Sequence, residues 1–178
     1  ARRGAELVVI PARYKNPTSQ WTASQQNHET WAKELVPYLF DGRVPLNENL
    51  LLLGDIKIQP TAASPLSTFA TISRHMSGII GHPKLALTTI AAPPGKLPKI
   101  VATTGAVTVP NYTDSRSGKA GEFHHTLGAL VVEIQDKEVF HLRQLNAVGD
   151  GSFIDLDTEY TRHGARRAKP AVGLAMGD

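Results

Sequence analysis

The feature that most constrains the fold is the run of four leucines in "LLLLGDIKI", from Leu50 to Leu53. A strand with water on one face alternates apolar and polar residues, whereas this run is apolar at every position. Apolar residues continue to recur as far as Ile58. The pattern predicts a strand from Leu50 to Ile58 that is buried on both faces, as in a parallel sheet.

The rest of the hydrophobic pattern predicts helices packed around a mixed sheet. Helices are expected from Asn27 or His28 to Leu39, and from Ser64 to His75, where Ser64 and the following proline form a good start. Short strands are expected at residues 6–10, 79–80, 85–90, 100–103 and 107–109. Segments 127–134 and 139–145 predict a β-hairpin, and "TRHGARRAKP" (161–170) predicts an exposed basic loop. The sequence thus indicates a single α/β domain with a mixed β-sheet, flanking helices and a C-terminal β-hairpin, as a fragment of a longer chain.

Length and composition limit the classes of function. The chain has 178 residues and no cysteine, which excludes disulfides, thiolate zinc sites and cysteine nucleophiles and fits a reducing compartment. No run approaches the roughly 20 apolar residues of a membrane-spanning helix, and "ARRGAELVVIP" lacks the apolar core of a secretory signal. The net charge of +3 permits an anionic partner such as nucleic acid.

Asp55, directly after the leucine run, is the first candidate site residue. A carboxylate at the carboxyl end of a buried strand faces the crevice where α/β folds bind ligands, and it is a common metal ligand. Asp55 and Lys57 also form the D-x-K pattern of restriction-type nucleases, in which the acid binds a divalent metal and the lysine orients water or phosphate. Asp41 or Glu48 would supply a second acid. The alternative is that Asp55 caps a turn or pairs with Lys57.

Three histidines form the second candidate: His82 in "GIIGHP", and the adjacent His124 and His125 in "GEFHHTL". Neutral imidazole together with a carboxylate suits Zn²⁺, Mn²⁺ or iron. Adjacent side chains on a strand point to opposite faces, so His124 and His125 can share an ion only at a loop-to-strand turn. The expectation is that one of them faces a polar crevice containing Asp55 while the other braces the turn. The alternative is that each histidine is satisfied by a backbone carbonyl.

Two basic segments are candidate phosphate contacts. Arg116 and Lys119 lie in the Gly- and Ser-containing segment "NYTDSRSGKAGEF", and Arg166 and Arg167 lie in "RHGARRAKP". In both cases the alternative is a solvated surface loop. Walker, nucleophile-elbow and dinucleotide-binding patterns are missing from the sequence, so those activities have no support. The few, scattered aromatic residues argue against a platform that stacks single-stranded bases.

Several segments together resemble one protein family. The quoted segments "VVIPARYKNPTS", "LLLLGDIKIQPTAASPLS", "IIGHPKL", "ATTGAVTVPNYTDSRSGKAGEFHHTLGALVVEI", "FHLRQLNA" and "GSFIDLD" are similar, in order, to a region of tailed-phage proteins described as metallophosphoesterase-like or DNA-transfer proteins. The resemblance implies that this region precedes a calcineurin-like phosphoesterase domain, which begins with a strand followed by Gly-Asp-x-His. It therefore implies one domain at residues 1–170, and at residues 171–178 the truncated first strand of the next, with Asp178 as its first metal ligand.

The leading prediction is part of a phage metal-dependent phosphoesterase or nuclease-like protein that acts on DNA or another phosphodiester in the cytoplasm of an infected bacterium, with Mn²⁺, Mg²⁺ or Zn²⁺ as cofactor. The predicted catalytic residues are Asp55, Lys57 and His124, the metal ligands are Asp55, His82, His124, His125 and Asp178, and the phosphate contacts are Arg116, Lys119, Arg166 and Arg167. Two alternatives remain. One is a non-catalytic module that binds DNA or another phage or host protein, and the other is a restriction-like nuclease built on Asp55 and Lys57.

Overall fold

A computed structural model describes residues 4–11, 31–67, 69–72, 75–95, 98–170 and 173. Within these ranges the regular elements are β1 (Arg43–Asn47), β2 (Leu50–Leu53), α1 (Phe69–Ile72), β3 (Ser77–Ile80), β4 (Leu87–Ile90), β5 (Lys99–Thr103), α2 (Arg116–His124), β6 (Gly128–Ile134), β7 (Phe140–Asn146), β8 (Phe153–Asp155), β9 (Thr158–Thr161) and β10 (Gly164–Arg167). A short 3-10 helix, Val36–Tyr38, precedes β1.

The central element is a five-stranded mixed sheet in the order β1-β2-β3-β5-β4. Its three middle strands, β2, β3 and β5, are parallel, and the two edge strands pair antiparallel with their neighbours. The predicted α/β class with a mixed sheet is confirmed. The carboxyl ends of the parallel strands meet at one edge, which is where such folds gather ligand-binding groups.

Strand β2 is buried on both faces, as the leucine run predicts. Leu50 and Leu52 belong to one buried cluster together with Ile79 of β3, whereas Leu53 packs on the opposite face with Phe69 of α1. Burying a leucine fully contributes about 1.5–3 kcal/mol. Strand β2 therefore contributes buried leucines to the hydrophobic clusters on both faces of the sheet. It ends at Leu53 rather than at Ile58, because the chain turns at residues 54–55.

The β6–β7 hairpin covers one face of the sheet and confirms the predicted hairpin. Its seven paired positions run from Gly128 opposite Asn146 to Ile134 opposite Phe140. Four of its apolar side chains, Leu130, Val132, Phe140 and Leu142, pack against the cluster around Leu50. The turn of the hairpin is docked as well, because the Asn49 side chain donates a hydrogen bond of 2.9 Å to the carbonyl of Glu138.

The last three strands form a separate small antiparallel sheet in the order β10-β9-β8. The predicted basic loop at residues 161–170 is wrong, because residues 164–167 are strand β10 and pair with β9. Two-residue turns join the strands. Leu156 in the first turn has φ 55°, which is unusual for a residue with a side chain. Arg143 of β7 attaches this sheet to the hairpin through Asp155 of β8.

Other predicted elements are shorter than expected or different. Of the predicted helix at 64–75, residues 64–67 and 75 are not helical, α1 is helical, and residues 68, 73 and 74 lie outside the described ranges. Residues 107–109 form no strand, since the described pairing there consists of isolated bridges at Gly105 and Ala106. The predicted strand at 6–10 is a single bridge between Val9 and Leu39. Most of the predicted helix that begins at Asn27 or His28 is not helical where it is described, apart from the 3-10 turn, and residues 12–30 lie outside the described ranges.

Candidate functional site

Asp55 lies beyond the carboxyl end of β2, and its carboxylate is paired with Arg43 at the start of β1. Arg43 Nε donates to Asp55 Oδ1 at 3.2 Å and Nη2 to Oδ2 at 2.6 Å. The hydrogen bonds from Arg43 lower the pKa of Asp55. Both carboxylate oxygens are thus already engaged, and a cation could reach them only if the guanidinium moved away.

Lys57 lies near two carboxylates at the open end of the β1–β2 hairpin. Its ammonium donates a hydrogen bond of 2.7 Å to the carbonyl of Gly54. Burial lowers the pKa of Lys57, while the charges of Asp41 and Asp55 oppose that shift. Asp41 therefore lies close enough to Lys57 to act on its charge, while Arg43 occupies Asp55, and the predicted role of an upstream acid stays a prediction.

His82 follows β3 at the same edge of the sheet and is almost completely buried. Its Nδ1 accepts a hydrogen bond from the backbone N–H of Lys84 at 3.0 Å, and its Nε2 donates to the carbonyl of Gln59 at 3.1 Å. Burial lowers the pKa of His82, and the charges of Lys84 and His124 lower it further. The ring is a neutral imidazole with both nitrogens committed to the backbone.

Helix α2 replaces the phosphate-binding loop that the sequence suggested. The side chain of Ser115 caps it by accepting a hydrogen bond of 3.0 Å from the N–H of Gly118. The two glycines allow close packing of the helix against its neighbours. A Cβ on Gly118 would overlap the carbonyl of Thr113, and one on Gly121 would press on the ring of Tyr112. The predicted loop is a helix, and its glycines lie where neighbouring atoms come too close to the helix for a Cβ.

The paired histidines lie at the end of α2, before β6. His124 is the last helical residue, and its ring lies edge-on to Phe123 with ring centroids 5.3 Å apart. His125 is the C-cap, and its Nδ1 accepts from the Tyr112 hydroxyl at 2.9 Å while its Nε2 donates to the carbonyl of Thr108 at 2.8 Å. His125 braces the connection. His124 lies close enough to His82 to lower its pKa.

The described residues do not fit a metal ion. Among them, no three side chains of His, Asp or Glu come together as a ligand set. Both nitrogens of His82 and His125 are hydrogen-bonded, and both oxygens of Asp55 are held by Arg43. Asp178, the metal ligand implied by the family resemblance, lies outside the described residues. The roles predicted for these residues stay predictions.

The candidate phosphate contacts lie on two separate elements. Lys119 of α2 forms an exposed ion pair of 2.9 Å with Asp114, and Arg116 is exposed at the start of the same helix. Arg166 and Arg167 are neighbours on β10 and point to opposite faces of the small sheet. Arg166 is bound by both oxygens of Glu159 at 2.8 Å. Arg167 is exposed and has no ion-pair partner among the described residues.

Two features of the small sheet are not predicted from the sequence. Phe153 and Tyr160 stack on each other across β8 and β9, with ring centroids 5.1 Å apart and an angle of 19° between the planes. Arg143 binds both Asp155 at 2.9 Å and Glu133 at 2.7 Å. The stack could be predicted only from the register of the β8–β9 hairpin, which the two-residue turn at Leu156 sets. Such turns are usually recognised by Gly or Asn, and this one has a leucine instead.

Comparison with known proteins relates the chain to bacteriophage proteins. It is similar to Protein A1 of Escherichia phage T5, with 33% identity over 137 residues. The aligned region covers 74% of this chain and 25% of Protein A1, so the chain spans about a quarter of that relative's length. No protein-family model matches the chain, and no solved structure does. None of the described helices is long and apolar enough to cross a membrane.

Proposed function

We propose that this chain is a DNA-binding module of a larger phage protein and that its main contact with phosphates is the β9–β10 hairpin. One observation carries the proposal. Residues 158–169, "TEYTRHGARRAK", contain four cationic side chains and one acidic side chain. Strand β10 and the β9–β10 turn are exposed along their whole length. An exposed, predominantly cationic strand attracts the evenly spaced charges of a nucleic-acid backbone.

Two of the three acidic side chains of the small sheet are paired, and the third, Asp157, lies in the β8–β9 turn beside the end of β10. Asp155 is held by Arg143 on the neighbouring hairpin, and Glu159 is held by Arg166. The hydrogen bonds from Arg166 lower the pKa of Glu159, and Lys169 lowers it further. Arg167 has no ion-pair partner among the described residues and is exposed to an anionic partner. Lys169 and Arg162 add positive charge beside it, although each also lies close enough to a carboxylate, Glu159 or Asp150, to lower the pKa of that carboxylate.

The test is DNA binding by the 178-residue chain as a function of salt. We expect a labelled DNA oligonucleotide to bind with an affinity that falls steeply between 50 and 200 mM salt, values spanning the range over which phosphate contacts dominate. Arg167→Ala should weaken binding and reduce the slope of log affinity against log salt by roughly 0.7–0.9.

Lys137→Ala is the matched control, because it removes the same charge from an exposed turn on the β6–β7 hairpin. An equal loss for the two variants would mean that only the net charge matters. Absence of binding at 50 mM salt would refute the proposal.

Phosphodiester hydrolysis at the open end of the β1–β2 hairpin is the second candidate function. The observation that favours it is the interaction of the partly buried Lys57 ammonium with both Asp41 and Asp55. It agrees with the leading expectation from the family resemblance. Arg43 stands against it, because it occupies both oxygens of Asp55.

Cleavage assays in Mg²⁺ and Mn²⁺ test this second function directly. If Arg43 blocks a working carboxylate, Arg43→Ala should raise cleavage of DNA and Asp55→Asn should abolish it. If the wild type and Arg43→Ala both leave DNA intact, these residues do not catalyse hydrolysis. Cleavage that survives Asp55→Asn would also exclude this site.

A further inference from the structure

One face of the small sheet carries a row of three side chains, of which two are large aromatic rings and the third is a methyl group. Phe153, Tyr160 and Ala165 are directly opposite one another across β8, β9 and β10. Because neighbouring strands lie about 4.8 Å apart, side chains in such a row stand side by side. Phe153 and Tyr160 fill their two positions and stack as nearly parallel rings. The third position holds only a methyl group.

Because Ala165 is small, the face of the Tyr160 ring that points toward β10 is open. Its inner side lies against Phe153, and Tyr160 itself is 40% exposed. Ala165 is exposed and too small to cover the outer side. The result is a slot beside Tyr160, floored by Ala165, into which another flat ring fits at the same spacing. Planar rings stack favourably in offset parallel geometry, at about 0.5–1.5 kcal/mol beyond the area they bury.

A free cation lies on the same face, next to the slot. Alternation along β10 places Arg167 on the face of Ala165, whereas Arg166 points to the other face and is bound to Glu159. Asp155 lies in the same cross-strand row as Arg167 but two strands away, and it is bound to Arg143. The ring slot and a positive charge that has no ion-pair partner in the described part of the chain are thus two residues apart on one strand.

We infer that Tyr160 stacks on a base of single-stranded nucleic acid in this slot while Arg167 contacts the adjoining phosphate. An aromatic ring beside a cationic group is the combination that recognises an unpaired strand, because each nucleotide presents one ring and one charge. Duplex bases are already stacked on one another and cannot enter the slot. The inference rests on the proposed DNA-binding function and deepens it by naming the form of nucleic acid.

The decisive measurement compares a 12-nucleotide oligo(dT) with a 12-base-pair duplex, by fluorescence anisotropy at one salt concentration. Tyr160→Ala should weaken binding of oligo(dT) by roughly 5- to 150-fold, which is the usual effect of removing one stacked aromatic side chain. Duplex binding should change by less than twofold. Tyr160→Phe should retain oligo(dT) binding, because stacking needs the ring and not the hydroxyl.

Ala165→Leu provides a second variant that leaves Tyr160 and the charges in place. A leucine fills the slot, so it should weaken oligo(dT) binding and spare the duplex. Ile154→Ala is the matched control, since Ile154 is an exposed apolar residue on the opposite face of the same sheet. Far-ultraviolet circular dichroism of each variant verifies that the fold is intact.

The outcomes separate this inference from the proposed function. If Tyr160→Ala and Ala165→Leu leave oligo(dT) binding unchanged while Arg167→Ala weakens both ligands equally, the stacking slot is refuted and electrostatic DNA binding stands. If the wild-type chain binds neither ligand, both proposals fail together.

Discussion

The five-stranded sheet and the three-stranded sheet differ in how many of their polar side chains already have hydrogen-bond or ion-pair partners within the fold. At the carboxyl edge of the large sheet, His82 and Asp55 have all of their hydrogen-bonding atoms engaged by neighbouring groups. On the small sheet, Arg167 is exposed and free of an ion pair among the described residues. The residues that the sequence predicts as an active site are therefore hydrogen-bonded within the fold, and their predicted roles stay predictions. The surface that we propose binds DNA lies on the three-stranded sheet, which carries none of the buried core residues.

The largest expected effect tests whether the core belongs to the large sheet. Phe69→Ala removes a fully buried ring that packs with Leu53 and Ile80, so it should lower the free energy of unfolding by about 3–5 kcal/mol. Phe123→Ala is the control, because Phe123 is 85% exposed, and it should change stability by less than about 0.5 kcal/mol. Urea denaturation measures both. Similar losses for the two variants would mean that Phe123 is covered in solution.

The next effect concerns His82, whose ring satisfies two buried backbone groups. His82→Leu leaves the Lys84 N–H and the Gln59 carbonyl without their partner, at about 1–3 kcal/mol for each group that stays dry. Urea midpoints at pH 7.5 should therefore fall clearly below those of the wild type. A variant as stable as the wild type would show that water or a neighbouring side chain replaces the imidazole.

The burial of His82 also leads to an expectation for how the free energy of unfolding depends on pH. Burial lowers its pKa in the folded chain below the ordinary value of 6.5, so below that pH the unfolded chain binds a proton that the folded chain does not. Its contribution is complete above about pH 6.5 and is lost as the pH falls toward the folded-state pKa. The decline in urea midpoint between pH 7.5 and 5 should be smaller in His82→Leu than in the wild type. If His82→Leu keeps the full wild-type decline, another group is responsible for it.

Much of the large sheet could be predicted from the sequence because burial leaves a local pattern. The leucine run at β2 and the two apolar segments of the β6–β7 hairpin identified their elements, with errors mainly in where each one ends. The predicted strand from Leu50 is too long because the chain turns at residues 54–55, where Asp55 pairs with Arg43, twelve residues away in the sequence.

The site was harder to predict because its chemistry depends on partners that are distant in sequence. The engagement of His82 by Gln59, or of Asp155 by Arg143, leaves no local signal. The stack of Phe153 on Tyr160 depends on a register set by a two-residue turn at Leu156 and Asp157, where the sequence offers no glycine. Scattered aromatic residues in a sequence can therefore be neighbours across strands.

Another prediction concerns Arg143, which attaches the small sheet to the β6–β7 hairpin. Its hydrogen bonds to Asp155 and Glu133 raise its pKa further above the ordinary value, so the guanidinium is held by β8 and β6 together. Arg143→Met should accelerate amide hydrogen exchange in β8 and β9 while exchange in β2 and β3 stays slow. Arg166→Met, which removes an ion pair internal to the small sheet, is the control. Faster exchange throughout the chain would show that the sheets unfold as one unit.

The smallest expected effect is at the turn between β8 and β9. Leu156 adopts φ 55° and is 74% exposed, so it has backbone strain without the compensation of burial. Asparagine tolerates this left-handed conformation, and it avoids the extra chain entropy that glycine adds to the unfolded state. The left-handed conformation costs an ordinary L-residue about 1–2 kcal/mol, and asparagine recovers part of that cost through local hydrogen bonds. Leu156→Asn should therefore stabilise the small sheet by up to about 1 kcal/mol, detected as slower exchange in β8 and β9. If exchange there becomes faster, Leu156 makes a contact that its exposure conceals, and the small sheet has more of a core than the comparison with the large sheet implies.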